Sequence, residues 1–195
     1  MTKTNNIHTA IERIVAMDYL SIIDKYYSGQ EELKALLLHH SRQVADKALE
    51  LCAAHPEWQA DTQFVEEAAM LHDIGIIRCN APSIHCHGAE PYICHGRIGA
   101  EMLRHEGFAS HARVAERHTG SGLTREQIIA QGLPLPAEDF VPETIEEKVI
   151  CYADKFFSKS HPERIASPEH IRQTMLKFGN GSLERWEQLE KLMTQ

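Results

Sequence analysis

The sequence predicts an all-α protein, a compact helical bundle. Three observations carry that prediction. Apolar residues recur at helical spacing through nearly every segment, helix-start signatures punctuate the chain, and no stretch alternates apolar and polar residues as a half-buried strand does.

The elements follow in order. A first amphipathic stretch runs from about Ile7 to Tyr27 and is closed by Ser28 and Gly29. A second runs from about Glu31 to Ala54, with Leu33, Leu37, Val44, Ala48 and Leu51 holding the period until Pro56 ends it. The third, from Thr62 to about Ile74, is apolar on most sides around Ala68, Ala69, Met70 and Leu71, which places it in the centre of the bundle. Residues 78–94, RCNAPSIHCHGAEPYIC, carry two prolines, a glycine and no period, and read as a loop. Helices then span His95 to about His105 and Ser110 to His118. Thr124 with Gln127, and Thr144 with Glu147, form capping boxes on either side of a proline-rich turn, GLPLPAEDFVP. Ser167 before Pro168 starts another helix, and Ser182 is the expected cap of the last.

Bulk properties narrow the function. A chain of 195 residues with 43% hydrophobic and 25% charged residues is ordinary globular material for one well-buried core, so residues 1–195 are taken as a single domain. A formal charge of -8, with lysines and arginines scattered, argues against long nucleic acid as the main partner. The opening MTKTNNIHTAIERIV lacks a secretory h-region, and no segment reaches the ~18 to 20 apolar residues of a membrane span, so a cytoplasmic location and no membrane partner are expected. Five cysteines without paired spacing fit reduced thiols. Thirteen histidines stand out, because histidine is the commonest metal ligand.

Phase along the helices selects which histidines matter. His40 lies three after Leu37 and four before Val44 and shares their buried stripe, whereas His39 falls beside Gln43 and Asp46. His72 and Asp73 sit side by side in the apolar run MLHDIGIIRC, where an unpaired charge is heavily penalised. Asp154 follows Ile150 and Cys151 on an inward face, His118 follows Val114 and Ala115, and His95 opens a mostly apolar helix. Six nitrogen and oxygen ligands exceed what one catalytic ion with open positions uses, so two metals sharing Asp73 as a bridge are expected.

The order His40, His72-Asp73, Asp154 resembles the HD superfamily of metal-dependent phosphohydrolases, and LHDIG at 71–75 is similar to its HDIG subgroup. HHSRQVADKAL resembles the family's first-ligand helix, HGRIGAEML its His-x-x-x-Gly-Ala segment, AERHTGSGLT the segment with the fifth ligand, and VICYADKF its closing aspartate helix. The likeness covers about residues 31–160, and leaves the C-terminal helices, about 168–194, to pack on that HD-domain core. It is strongest toward small stand-alone HDIG proteins described as predicted hydrolases.

The resemblance implies one ion on His40, His72, Asp73 and Asp154, and a second on Asp73, His95 and His118. Iron, manganese, nickel, cobalt and zinc all accept such divalent sites. It implies hydrolysis of a phosphate ester or anhydride of a small molecule, a nucleotide among the candidates, by a hydroxide bridging the ions, with Asp73 catalytic. The subgroup often continues HDIG with lysine, where this chain has Ile76; Arg78, Arg97, Arg117 and Lys155 are the alternative cations for a phosphate, Lys155 foremost. The 78–94 loop is expected to wall the cleft, with His87 or His85 as proton donor to the leaving oxygen or contact to the substrate. A second reaction class stays open, since some HD-fold proteins use a similar set as a mixed-valent di-iron oxygenase. A non-catalytic nucleotide-binding module would instead lack ligands, and none is missing.

Overall fold

The structure is a computed structural model that describes residues 17–195; the part of the first expected stretch that precedes Met17 lies outside the described residues. Helix α1 (Tyr19–Tyr27) opens on Asp18, whose carboxylate accepts the Ser21 amide at 3.0 Å. It gives way at Gly29, whose φ of +78° turns the chain into α2 (Glu31–Ala54). One face of α2 buries Leu33, Leu37, His40, Val44 and Ala48, the spacing of a single helical stripe.

Helix α3 (Thr62–Leu71), capped by Asp61, stops short of the expected Ile74. Consecutive helical residues diverge by about 100°, so a continued helix cannot aim His72 and Asp73 at one point. The backbone instead leaves helical geometry at Asp73 (φ -103°, ψ 9°) and enters a 3-10 turn, Ile74–Arg78. The buried Tyr27 hydroxyl donates to the Ile74 carbonyl at 2.9 Å and pins that turn.

The following loop holds a short antiparallel ladder, β1 (Asn80–Ala81) with β2 (Cys86–His87), where the sequence showed no strand. Two residues per strand are too few for alternation to be visible as a pattern. Helices α4 (His95–His105) and α5 (Ala109–Arg117) pack on one another. Both α6 (Arg125–Gln131) and α7 (Ile145–Asp154) start at the expected capping boxes, and α8 (Pro168–Lys177) starts at Ser167. The last helix, α9 (Asn180–Thr194), begins after Gly179 rather than at Ser182. Ser182 is buried, and its hydroxyl accepts from Gln127 Nε2 of α6 at 2.8 Å, so a contact between helices takes the role the sequence assigned to a cap.

The architecture is all-α, with two apolar clusters. Val44 and Ala48 of α2 pack with Val65, Val149, Met175 and Trp186, which brings α8 and α9 onto the outside of α7. Tyr27, Leu37, Leu71, Ile98 and Ala115 join α1, α4 and α5 on the other side. On α2, His40 falls between Leu37 of one cluster and Val44 of the other. All five cysteines are buried free thiols. Among the described residues no helix is long and apolar enough to cross a membrane.

Candidate metal centre

Six side chains from five elements converge in the interior: His40 of α2, His72 and Asp73 at the end of α3, His95 opening α4, His118 closing α5, and Asp154 ending α7. All six are buried, His72 and Asp73 completely. Asp73 divides its carboxylate. Oδ2 lies 3.2 Å from His40 Nε2 and 3.1 Å from His72 Nε2, while Oδ1 lies 3.4 Å from both His95 Nε2 and His118 Nε2. Asp154 Oδ1 closes the first group, 2.9 Å from His40 Nε2 and 3.5 Å from His72 Nε2.

Three of the histidines are oriented by the same device. His72 Nδ1 donates to the Ala69 carbonyl at 2.6 Å, His95 Nδ1 to Tyr92 at 2.7 Å, and His118 Nδ1 to Ala115 at 2.7 Å, each acceptor three residues back. For His72 and His118 these are last-turn carbonyls that a helix end leaves free. With Nδ1 as donor to the backbone, Nε2 is the atom that points inward, and its lone pair is the one a metal would take in place of a proton.

The electrostatics follow from burial and neighbours. Burial opposes ionisation of Asp73, but Lys159 and His72 outweigh it and hold the carboxyl well below its usual range. Asp154 is likewise held low against burial by Lys155 and Lys159. Burial disfavours a charged His72, yet Asp73 and Asp154 raise it to about 9. Burial pushes His95 down to about 3 and also lowers His118. Asp73 Oδ1 and Oδ2, His72 Nε2 and His40 Nδ1 are buried without a well-formed hydrogen bond, a costly condition for groups of this polarity.

The inward-facing nitrogens and carboxylate oxygens of the cluster form two sets of potential metal ligands. One holds His40, His72, Asp73 and Asp154, the other Asp73, His95 and His118, with the ligand atoms of each set within 4.8 Å of one another. Nitrogen and oxygen ligands sit about 2.0–2.2 Å from such an ion and therefore roughly 3–4 Å apart, so the residues present fit a divalent metal.

Comparison with family models matches residues 37–158 to the HD domain. The chain belongs to the HD-domain family. Over 121 residues this HD-domain chain is 39% identical to the uncharacterized protein MJ0778 of Methanocaldococcus jannaschii, covering 60% of this chain and 64% of that protein. Two proteins named tRNA (cytidine(56)-2′-O)-methyltransferase are also similar. That of Picrophilus torridus is 35% identical over 154 residues, 78% of this chain and 39% of that protein. That of Thermoplasma volcanium is 32% identical over 123 residues, 63% of this chain and 32% of that protein. The HD-domain chain thus spans between about a third and two thirds of the length of these relatives. No solved structure matches it.

The HD-domain scaffold sorts the expected substrate-side residues. Lys155 reaches the cluster, with Nζ 2.5 Å from Asp154 Oδ2 and donating to the His118 carbonyl at 3.0 Å. Arg97 is spent on Glu101, one turn along its own helix, and Arg117 on Glu143 at 2.7 Å and the Val141 carbonyl at 2.9 Å. Arg78 is exposed. His87 and His85 both lie on the surface of the loop. The pleat of β2 buries Cys86 and turns His87 to solvent, and His85, exposed at φ +61°, faces Glu32 at 3.3 Å. The loop instead contributes Tyr92, whose ring stacks on His95 with centroids 4.8 Å apart.

One cation at the cluster escaped the sequence reading. Lys159 Nζ lies 2.5 Å from Asp73 Oδ2, and its side chain is only 13% exposed. It follows Asp154 by five residues in a segment with no period, so helical phase has no hold on it. A basic residue near the closing aspartate was the only available signal.

Proposed function

We propose that this chain is a metal-dependent phosphohydrolase that cleaves a phosphate ester or anhydride of a small molecule, with nucleotides among the candidate substrates. The observation that carries this reading is the divided carboxylate of Asp73, one oxygen toward His40 and His72 and the other toward His95 and His118. A carboxylate shared in this way suits a pair of divalent ions, the first held by His40, His72, Asp73 and Asp154 and the second by Asp73, His95 and His118. Such ions, when bound, supply positive charge for a phosphoryl oxygen and a water acidic enough to attack it at neutral pH.

The chain's own residues do the rest. The Nδ1 contacts hold three imidazoles at fixed angles, and the apolar layers on both sides keep bulk water from the ligands. Lys155 and Lys159 add cations at the Asp154 and Asp73 edges, and a phosphate oxygen needs a charged donor of this kind. The methyltransferase name belongs to longer proteins of which the chain spans 39% and 32%.

The test is elemental analysis of anaerobically purified protein, followed on the same sample by phosphate release from a panel of nucleotides and phosphate esters. Two ions per chain with phosphate release are expected. Two irons with oxygen uptake and no release would replace hydrolysis by the oxygenase reading. Fewer than two ions would remove His95 and His118 from the centre.

A further inference from the structure

Lys159 belongs to two places at once. Its ammonium touches the shared carboxylate of Asp73, and the same residue is among those that line a cavity of about 300 Å³ together with Ser83, Tyr92, Ser158 and Ser160. None of the residues lining that cavity carries a carboxylate; its polar members are three serines, Tyr92 and Lys159. Tyr92 ties the cavity to the second ligand group by stacking on His95, and the Ser158 and Ser160 hydroxyls lie 3.2 Å from one another on either side of Lys159. Lys155 is placed differently. It is committed to Asp154 and the His118 carbonyl and lines a separate cavity of about 680 Å³ on the α8 side.

We infer that the cavity beside Lys159 is the phosphoryl-binding pocket of the phosphohydrolase reading on which this rests, and that Lys159 is the residue that receives a dianionic phosphate there and hands it to the Asp73 side of the centre. The cavity is at the small end of ligand sites, enough for a phosphate and a modest organic group. An ammonium has three donors, so Lys159 can keep one on Asp73 and offer others to phosphate oxygens. A charge-assisted contact of this kind is worth about 10- to 100-fold in affinity.

The experiment is calorimetric titration of inorganic phosphate into metal-loaded protein, with metal content measured on each sample. Lys159→Met is expected to weaken phosphate binding by about 10- to 100-fold at unchanged metal content, and Lys159→Arg to recover part of it. Ser160→Asp, at an exposed position that touches no ligand, should weaken phosphate binding by repulsion and leave the metal in place. Unchanged phosphate affinity in Lys159→Met and Ser160→Asp, with phosphate release from substrate still seen, would overturn the pocket and leave the phosphohydrolase reading standing. Loss of metal in Lys159→Met would make Lys159 a support of the cluster and overturn its substrate role. A wild-type protein that neither binds phosphate nor releases it from any substrate would overturn both.

Discussion

Gly75→Ala tests whether the glycine after His72-Asp73 exists so that α4 can approach the metal centre. A Cβ at position 75 would lie 2.1 Å from the His95 carbonyl oxygen and 2.4 Å from the Gly99 amide nitrogen, where ordinary contact begins at 3.4 Å. Both atoms are backbone, so no side-chain rotation relieves the clash, and α4 must retreat by roughly 1 Å or more. Overpacking of this kind costs about 1–3 kcal/mol, toward the upper end where backbone must move. For a chain of this size that is a fall in Tm of roughly 4–12 °C. His95 rides on the displaced helix with its Nε2 only 3.4 Å from Asp73 Oδ1, whereas His40, His72 and Asp154 stand on other elements. Thermal unfolding followed by circular dichroism should show the lowered Tm, and elemental analysis should show metal content falling from about two ions to about one. A wild-type Tm would refute the close approach. A lowered Tm with full metal content would refute the link between helix approach and the second ligand group.

Three further perturbations probe other parts of the structure. Asp73→Ala removes the carboxylate common to both groups and should abolish binding of both ions with the helices retained, while His95→Ala should cost one; equal losses by elemental analysis would contradict the division of Asp73. Trp186 of α9 is fully buried and stacks on Tyr152 of α7 at 4.8 Å, so Trp186→Ala should cost about 3–5 kcal/mol in urea unfolding, and a loss below about 1 kcal/mol would show that α9 is not part of the core. Arg117 and Arg113 hold the Glu143 carboxyl down to about 2 from its ordinary 4.5. The unfolded chain therefore binds this proton first, so the contribution is present above about pH 4.5 and lost as pH falls toward 2, and Glu143→Gln should flatten that part of the acid limb of thermal stability. An unchanged acid limb would show that the arginine clamp does not support the fold.

Much of the interior was legible because helical phase relates a side chain to its own helix. Phase chose His40 over His39, and the structure buries the first and exposes the second. Phase also turned Asp154 and His118 inward, and side chain to backbone rules placed both capping boxes. These inferences need only the residues within one or two turns. The same reasoning misplaced the end of α3, since an apolar run reads as continuing helix while the convergence of His72 and Asp73 demands a break.

What the chain determines by itself is therefore the all-α class, the helices after Pro56 to within a few residues, and the set of polar residues that face inward. The distances between those residues are a tertiary matter, because His40 and Asp154 are 114 positions apart and meet only when α2 packs on α7. Tertiary structure also decided which cations stand beside the cluster. Arg97 and Arg117 are drawn off by Glu101 and Glu143, and Lys159 arrives from an irregular segment whose path depends on how α7 and α8 are joined. Local periodicity carries no information about such a path, since it records which face of an element is dry and not what another element brings to it.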